Sequence, residues 1–296
     1  MNVHQEQTLI FLHIPKAAGT TLHRIIERQY GSTAVFSNPD VVSAKLGAKW
    51  KRVLAPQRWE IARDELANLS TVQKKKIKVV KGHMRFGWHE LLPQPCTYIT
   101  ILRDPVDLVI SHYYYVLRQD GHHLRDEIVA RNMSLGDYVS SGISLTVNDG
   151  QTRLLSGVNE DLGFGECTSE TLEIAKNNIS THFAVVGLTE EFDRTLMLLK
   201  REFGWGMPFY VKQNVTRNRP SRDDVSFEDL RLVEKYNELD VELYEYAKAN
   251  FEARLNQQSS AFDKELIKFK ALNAVYAKVF GIFFDCRRWL SRLRAR

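Results

Sequence analysis

The stretch Leu9-Ile-Phe-Leu-His-Ile-Pro-Lys-Ala-Ala-Gly-Thr-Thr-Leu22 decides the fold. Its first six residues form an apolar run of strand length that leads directly into a proline and, four residues later, a glycine. The following residues, 20–30, place apolar side chains at helical spacing. A strand, a glycine-containing turn and a helix in this order predict the opening of an α/β domain with a parallel sheet.

Three more strands and three more helices are predicted along the chain. The strands fall at residues 77–80, 97–102 and 183–187, and the helices at residues 105–118, 189–203 and 226–253. Asp104 and Pro105 suit the N-cap and first position of one helix, because proline lacks the N–H group that would have no partner there. Ser226 suits the start of another, since acids fill the first turn after it. Residues 31–76 are less regular.

The end of the chain is a basic amphipathic segment. Residues 263–296 carry nine Lys or Arg against three Asp or Glu, a balance of +6, whereas the whole chain carries +5. The remainder therefore stands at −1, which argues against nucleic-acid binding by the core. Spacings of three and four predict a helix with one apolar face, made of Leu266, Phe269, Leu272, Tyr276, Val279, Phe283, Cys286, Leu290 and Leu293.

Two regions follow from this pattern, a domain at residues 1–258 and a basic amphipathic helical tail at residues 259–296. The tail has three candidate partners: its own domain, a second subunit, giving a dimer, or an anionic membrane surface. The sequence leaves all three open.

Composition and cysteine content favour a globular protein of the cytoplasm. The 296 residues are 44% hydrophobic and 26% charged, and no run approaches the roughly 18 apolar residues of a membrane span. Residues 1–7 lack the basic and apolar parts of a signal peptide, so a cytoplasmic location is predicted. Cys96, Cys167 and Cys286 have neither disulfide nor zinc spacing.

The turn after the first strand suits an anion. Its backbone N–H groups and the positive end of the following helix attract negative charge, Gly19 allows close approach, and Lys16, Thr20 and Thr21 add a cation and two hydroxyl donors. In a magnesium nucleotide loop the lysine follows the second glycine, whereas Lys16 precedes Gly19, and no acidic strand end offers a magnesium ligand. The loop therefore suits a phosphate-like group without a metal. The alternative is an ordinary tight turn with a solvated Lys16.

A second anion site is predicted from Arg103 to Ser111. Arg103 ends a strand and Ser111 lies a little over two helical turns into the next helix, so both can face the helix entrance. Arginine grips phosphate with two parallel hydrogen bonds and serine adds a hydroxyl. Alternatively, Arg103 pairs with Asp104 or Asp107, and Ser111 only packs.

Together the two segments resemble the 5′-phosphosulfate loop and the 3′-phosphate motif of carbohydrate sulfotransferases. The residues of the two motifs most resemble those of the heparan uronyl 2-O-sulfotransferase group and its bacterial relatives. Further similarity lies in residues 81–86 and 184–192 and, more loosely, in residues 148–153. The resemblance implies a P-loop-like three-layer α/β fold with a central parallel sheet. It also implies 3′-phosphoadenosine 5′-phosphosulfate (PAPS) as the co-substrate, with no metal.

The resemblance also implies roles for individual residues. Lys16 would contact the bridging oxygen of the donor and offset charge on the leaving phosphate. Arg103 and Ser111 would hold the 3′-phosphate, and Arg217 and Arg219 would belong to a loop that closes over it. The 5′-phosphosulfate loop itself would comprise Lys16, Ala17, Ala18, Gly19, Thr20, Thr21 and Leu22.

His83 is the candidate general base, because imidazole accepts a proton near neutral pH and this residue follows a predicted strand at the carboxyl edge of the sheet. The related 2-O-sulfotransferases carry His-Gly-His where this chain has Lys81-Gly-His83, so only the second histidine carries over. Lys81, Arg85 and Arg153 are candidate acceptor ligands. For Lys81 and Arg153, solvated or surface positions are the alternatives. For His83 the alternative is a structural histidine hydrogen-bonded within the sheet edge, and for the two loop arginines it is solvated loop charges. Four other histidines show no metal spacing and receive no role: His89, His112, His122 and His123.

The predicted function is in-line transfer of a sulfuryl group from PAPS to an acceptor hydroxyl, with a carbohydrate or glycan precursor as the favoured acceptor. Two alternatives stay open. One is a P-loop kinase of a small hydroxyl compound, which would use ATP and magnesium. The other is a non-catalytic module that binds glycans or a membrane.

Overall fold

The structure, a computed structural model, describes residues 7–47, 55–158, 162–212 and 220–293. Within them lies one sheet whose five strands pair in the order β2-β3-β1-β4-β5, all parallel. The strands are β1 (Thr8–Leu12), β2 (Val35–Ser37), β3 (Val79–Gly82), β4 (Cys96–Leu102) and β5 (Phe183–Leu188). The order reverses beside β1, and ligands of such sheets bind at this switch point, outside the carboxyl ends of the strands.

The connections are helical. In the described part of the chain the helices are α1 (Gly19–Tyr30), α2 (Asn38–Leu46), α3 (Ala55–Ala67), α4 (Thr71–Lys76), α5 (Pro105–Arg118), α6 (Arg125–Ala130), α7 (Leu135–Ser140), α8 (Gly150–Ser156), α9 (Ser169–His182), α10 (Phe192–Phe203), α11 (Phe227–Lys235), α12 (Glu238–Asn256) and α13 (Ser260–Leu293).

The sheet is covered on both faces. All five residues of β1 are buried, as are the last six of β4. Because neighbouring side chains of a strand point to opposite faces, burial along the whole strand requires helices on both sides. This arrangement confirms the predicted P-loop-like α/β fold with a central parallel sheet.

A second, smaller core lies on the outer side of α5. Val109 and Tyr113 of α5 pack there with Ile128 of α6, Tyr138 of α7 and Val233 of α11. Tyr113 also donates a hydrogen bond to the carbonyl oxygen of Met133 (2.7 Å). This helical layer fixes α5, the helix that carries Ser111, at the carboxyl edge of the sheet.

The predicted elements are largely present, with three differences. The strand predicted at residues 77–80 is shifted to Val79–Gly82, and the region 31–76 holds β2 and three helices. The single late helix predicted at 226–253 is wrong, because it divides at Asn237 into α11 and α12. Asn237 leaves helical geometry and donates its side-chain amide to the carbonyl oxygens of Val147 (3.0 Å) and Val233 (2.9 Å), which ends one helix and starts the next.

The tail begins as α13 and docks on the domain along one face. Phe262, Leu266 and Phe269 are buried in the main core, and the Asn273 side-chain oxygen accepts a hydrogen bond from the backbone N–H of Tyr210 (2.7 Å). Among the described helices, none is both long and apolar enough to cross a membrane.

Candidate functional site

The site begins at the loop between β1 and α1. Lys16 and Ala18 have φ angles of 67° and 54°, in the left-handed region that residues with a side chain rarely adopt. This backbone turns the chain so that Gly19 and Thr20 start α1, where the first N–H groups have no partner within the helix. The Lys16 ammonium nitrogen lies 4.0 Å from the centre of the Tyr115 ring of α5. The geometry suits binding of a phosphate-like anion at the helix start.

Gly19 is required by a close approach. A Cβ atom there would lie 1.9 Å from Cδ2 of the His13 ring, far inside van der Waals contact. The loop therefore wraps around His13, a buried residue whose Nδ1 is 2.9 Å from Nε2 of His23. Burial, followed by the neighbouring histidines and lysines, lowers the pKa of His13 well below its usual value, so the ring is neutral.

His83 is held by the same residue that supports the loop. Its Nδ1 lies 2.8 Å from the carbonyl oxygen of His13, and its ring stacks on the His13 ring with centres 4.1 Å apart. A carbonyl oxygen only accepts, so Nδ1 carries the proton and the lone pair of neutral His83 is on Nε2. The backbone is fixed as well, since Asn38 donates its side-chain amide to the His83 carbonyl oxygen (2.8 Å). His83 is thus oriented as a base that acts through Nε2.

Gly82 makes that position possible. It has a φ of 147°, and a Cβ atom there would lie 2.5 Å from the Cβ of Asn38. Only glycine lets α2 approach the end of β3 this closely, which brings Asn38 within reach of His83.

Cations surround the base. Burial lowers the pKa of His83 below 6.5, and the charges of Arg58 and Lys16 lower it further, against the raising effect of the bond to His13. Arg58, on α3, also lowers the pKa of His122 and of His123. Arg58 and Lys16 are the charged side chains that shift these three pKa values, and both are cations. The site therefore attracts anions.

Two further histidines, His122 and His123, lie beside Tyr115 at the same site. The His122 and His123 rings stack with centres 4.6 Å apart, and the His122 ring lies 5.9 Å from the Tyr115 ring, which contacts Lys16. Burial, then His123 and Arg58, lower the pKa of His122 to about 4. Both rings are neutral at pH 7, and they offer flat surfaces with hydrogen-bonding nitrogens beside the cations.

Arg103 joins the second predicted anion site to the first. Its Nη1 donates to the carbonyl oxygen of Lys16 (2.9 Å), and it follows the last residue of β4. Ser111 is buried on α5, one helical turn before Tyr115, so the two side chains share one face of the helix. The ring on that face contacts Lys16, which brings Ser111 to the loop side of α5.

A known protein family matches most of the chain. The model of the galactose-3-O-sulfotransferase family matches residues 2–274. The chain belongs to the galactose-3-O-sulfotransferase family.

Three relatives with known names are similar to between 55% and 86% of the chain. Heparan-sulfate 6-O-sulfotransferase 3 of Mus musculus is 28% identical over 302 residues, covering 86% of this chain and 59% of the relative. Heparan-sulfate 6-O-sulfotransferase 2 of Gallus gallus is 27% identical, covering 84% of this chain and 68% of the relative. Heparan-sulfate 6-O-sulfotransferase 1 of Homo sapiens is 30% identical over 189 residues, 55% of this chain and 45% of the relative. The chain thus spans about three fifths of the mouse relative.

Family membership confirms the predicted resemblance to carbohydrate sulfotransferases. These relatives are 6-O-sulfotransferases, so the narrower likeness to the uronyl 2-O group stays a prediction. Within the predicted 5′-phosphosulfate loop, Ala17 and Leu22 are buried and serve the core with their side chains, whereas Thr20 is exposed at the start of α1.

Two of the predicted acceptor ligands are engaged in other contacts. Lys81 is 3% exposed and its ammonium pairs with the Glu27 carboxylate of α1, so the expectation of a solvated lysine is wrong. Its place in the middle of the sheet, opposite Phe11 of β1, directs it into the domain. Burial of a cation requires a partner, and Glu27 supplies it.

Arg153 holds a loop together. It donates to both oxygens of Asn148 (2.8 and 2.9 Å) and to the carbonyl oxygens of Leu162 (2.6 Å) and Gly163 (2.7 Å). Because four N–H groups are used in this way, neither the surface position nor the acceptor role is needed to explain Arg153. Arg85 has its guanidinium 5.9 Å from the ring of Trp59 on α3 and donates to the carbonyl oxygen of Val158 (3.4 Å). Arg217 and Arg219 lie outside the described residues.

Sequence reasoning missed Arg58, His13 and the His122–His123 pair as site residues. Arg58 lies in residues 31–76, where apolar residues show no clear periodicity, and no motif in the sequence relates it to His83. His13 directly precedes Ile14 in the quoted loop segment, so its position beside the loop could have been noticed. The His122–His123 pair lacks the spacing of a metal site, and on that ground the sequence assigns it no role. Metal spacing says nothing about whether two rings stack to form a surface for a ligand.

Proposed function

We propose that this chain transfers a sulfuryl group from PAPS to a hydroxyl group of a carbohydrate. The observation that carries the proposal is the double role of His13. Its carbonyl oxygen orients His83 at 2.8 Å, and its ring lies against Gly19 in the loop that bears Lys16. A base and an anion-binding loop built on one residue suit a reaction in which a hydroxyl attacks an activated anion.

The donor would lie along the carboxyl edge of the sheet. Gly19, Thr20 and Thr21 start α1 and suit the 5′-phosphate, and Lys16 suits the bridging oxygen between phosphate and sulfate. Arg103 and Ser111 suit the 3′-phosphate that distinguishes PAPS from ATP. Family membership supports this donor.

The chemistry assigned to the chain is one proton transfer and charge stabilisation. Nε2 of His83 accepts the hydroxyl proton as the acceptor oxygen forms its bond to sulfur, and the bond from sulfur to the 5′-phosphate oxygen breaks. The Lys16 ammonium offsets the charge that develops on that phosphate, as cations do in phosphoryl transfer.

We further propose an anionic glycan or glycan precursor as the acceptor. The cations around His83, together with the stacked His122–His123 pair, favour a sugar that carries carboxylate or sulfate groups. Arg85, whose guanidinium lies against the ring of Trp59 on α3, the helix that carries Arg58, is retained as a candidate acceptor ligand. The names of the 6-O relatives support a glycan acceptor.

Calorimetry followed by a transfer assay tests the function. We expect the protein to bind 3′,5′-ADP tightly and ATP with magnesium weakly, and to move labelled sulfate from PAPS to at least one member of a panel of glycans, nucleotide sugars and lipid-linked oligosaccharides. Preference for ATP would favour the kinase alternative. Binding of 3′,5′-ADP without transfer to any acceptor would favour the non-catalytic module.

We also propose that the outer face of α13 contacts an anionic membrane from the cytoplasmic side. Opposite the docked face, Ile267, Val275 and Val279 are between 51% and 69% exposed. Lys268 and Lys278 are exposed beside them. Apolar side chains flanked by lysines match the interface of an anionic bilayer, where each lysine contributes about 1 kcal/mol. The free thiols of Cys96 and Cys167 are in keeping with a cytoplasmic location.

Vesicle sedimentation checks the membrane contact. The double change Val275→Ser and Val279→Ser is expected to reduce binding to phosphatidylserine-containing vesicles several-fold. The control, Val72→Ser with Val129→Ser, removes two equally exposed valines elsewhere and should have no effect. Unchanged sedimentation of the first variant, or concentration-dependent dimers lost in it, would refute membrane contact, and the dimers would instead assign this face to a second subunit.

A further inference from the structure

The backbone of Arg103 is held by a side chain from a distant part of the sequence. Gln151 of α8 accepts a hydrogen bond from the Arg103 N–H (3.0 Å) and donates its amide to the Arg103 carbonyl oxygen (2.9 Å). One residue earlier, the Leu102 carbonyl oxygen accepts from the backbone and hydroxyl of Thr189, which follows β5 (2.8 and 3.0 Å). The Gln151 amide therefore continues the ladder of hydrogen bonds for one residue after the sheet has ended.

The other end of Arg103 is fixed as well. Its Nη1 donates to the Lys16 carbonyl oxygen at 2.9 Å, so the residue is held by its backbone at Gln151 and by its guanidinium at the anion loop. A long side chain that is fixed at both ends loses little further freedom when it binds a ligand.

Two carboxylates hold Gln151 in place. Asp240 of α12 accepts from the N–H groups of Gln151 (3.0 Å) and Thr152 (2.7 Å), and so caps α8. Asp149 in turn accepts from the N–H groups of Leu239 (3.0 Å) and Asp240 (3.1 Å), and so caps α12. Each carboxylate lies at the positive end of the other helix, which fixes α8 and α12 to one another.

The residues of these crossed caps are buried. Gln151 and Asp240 are each 1% exposed. Burial raises the pKa of both carboxyl groups, and Asp240 raises that of Asp149 further, while Arg153 acts in the opposite direction on both. Two neighbouring buried carboxylates are unfavourable unless hydrogen bonds compensate them, and the crossed caps supply these hydrogen bonds.

We propose that Gln151 is a positioning residue for donor recognition: its amide sets the backbone of Arg103, and the crossed caps of Asp149 and Asp240 set Gln151. This inference rests on the proposed function, because it concerns the 3′-phosphate that Arg103 is assigned to bind. The predicted consequence is selective. Loss of the clamp weakens recognition of the 3′-phosphate and leaves binding of the 5′-phosphate at the loop largely intact.

The test compares two nucleotides by calorimetry. 3′,5′-ADP carries the 3′-phosphate and 5′-AMP lacks it. The dissociation constant of 5′-AMP divided by that of 3′,5′-ADP therefore measures recognition of the 3′-phosphate, which is assigned to Arg103 together with Ser111. We expect Gln151→Met, which keeps the length of the side chain but makes neither hydrogen bond, to reduce this ratio roughly tenfold. Gln151→Asn, whose amide is one methylene too short to reach Arg103, should do the same.

Asn178 provides a matched control. This buried amide donates to the carbonyl oxygens of Leu155 (2.9 Å) and Ser156 (3.0 Å) at the other end of α8. Asn178→Leu should lower the melting temperature as much as Gln151→Met does, with the nucleotide ratio unchanged.

The outcomes separate this inference from the function on which it rests. If the unmodified protein does not prefer 3′,5′-ADP over 5′-AMP, the donor assignment fails before any variant is made, and the inference fails with it. If that preference exists and persists in a folded Gln151→Met or Gln151→Asn protein, only the positioning role is refuted. If neither Gln151 variant folds, or if Asn178→Leu loses the preference equally, Gln151 acts on stability alone and the proposal is overturned.

Discussion

Replacing His83 with asparagine is expected to lower kcat for sulfate transfer by about 10²- to 10⁴-fold, the usual contribution of a general base. Asparagine keeps a donor near the His13 carbonyl oxygen but has no lone pair that accepts the hydroxyl proton. Binding of 3′,5′-ADP should stay within a few-fold, because the donor contacts lie on the loop and at Arg103. Initial rates with saturating donor, together with calorimetry, measure the two effects.

The pH profile of kcat/KM checks the same assignment. Burial lowers the pKa of His83 below 6.5, and a protonated imidazole cannot accept a proton. Activity should therefore stay level through neutral pH and fall only as the pH drops through this lowered pKa. A matched control is His182→Asn. His182 directly precedes β5 and so lies at the amino ends of the strands, away from the site at their carboxyl ends, and its replacement should leave the rate unchanged. Near-normal turnover in His83→Asn would remove the residue from the mechanism.

Lys16→Ala is expected to reduce kcat by about 10²- to 10³-fold, as loss of one group that stabilises transition-state charge does in other enzymes. The ammonium nitrogen sits above the Tyr115 ring at 4.0 Å and is aimed by a left-handed backbone at the start of α1. Without it, the negative charge that develops on the leaving phosphate loses the cation assigned to the bridging oxygen. Because the backbone N–H groups remain, donor affinity should fall less than the rate.

Single-turnover measurements with saturating PAPS separate the rate from the affinity. Lys45→Ala is the control, because Lys45 pairs with Glu65 on the surface between α2 and α3. Such exposed pairs contribute about 1 kcal/mol or less to stability, so this variant should keep its turnover. A Lys16→Ala protein with kcat within threefold of the unmodified chain would contradict the assigned role.

Local signals in the sequence were enough for the centre of the fold. The apolar run, the proline and the glycine predicted the unit of β1, loop and α1, because those features act over a few residues. The helix start at Asp104 is present, with the Asp104 carboxylate accepting from the backbone N–H of Asp107 (3.0 Å). Ser226 caps α11 in the same way, through the N–H of Asp229 (3.1 Å). Caps can be predicted because the bond joins residues three positions apart.

Errors arose where a distant partner decides the structure. The late helix divides at Asn237 because its amide meets a carbonyl group 90 residues earlier, and no local pattern records that contact. Lys81 looked available to solvent or substrate until Glu27 was placed against it by the packing of α1 on the sheet. For Arg153, the sequence likewise could not show that loop carbonyl groups fix its position, and its role as an acceptor ligand stays a prediction.

The loop at residues 13–22 and the motif from Arg103 to Ser111 were therefore determined by the sequence alone, since a turn, a cap and a helix start depend on neighbouring residues. Only the tertiary structure brought Arg58 to His83 and to the His122–His123 pair, and placed Gln151 against the backbone of Arg103. These interactions join residues that are 25 to 65 positions apart along the chain. They exist because parallel strands deliver separate segments to one edge of the sheet, which is a property of the folded chain and not of any single stretch of it.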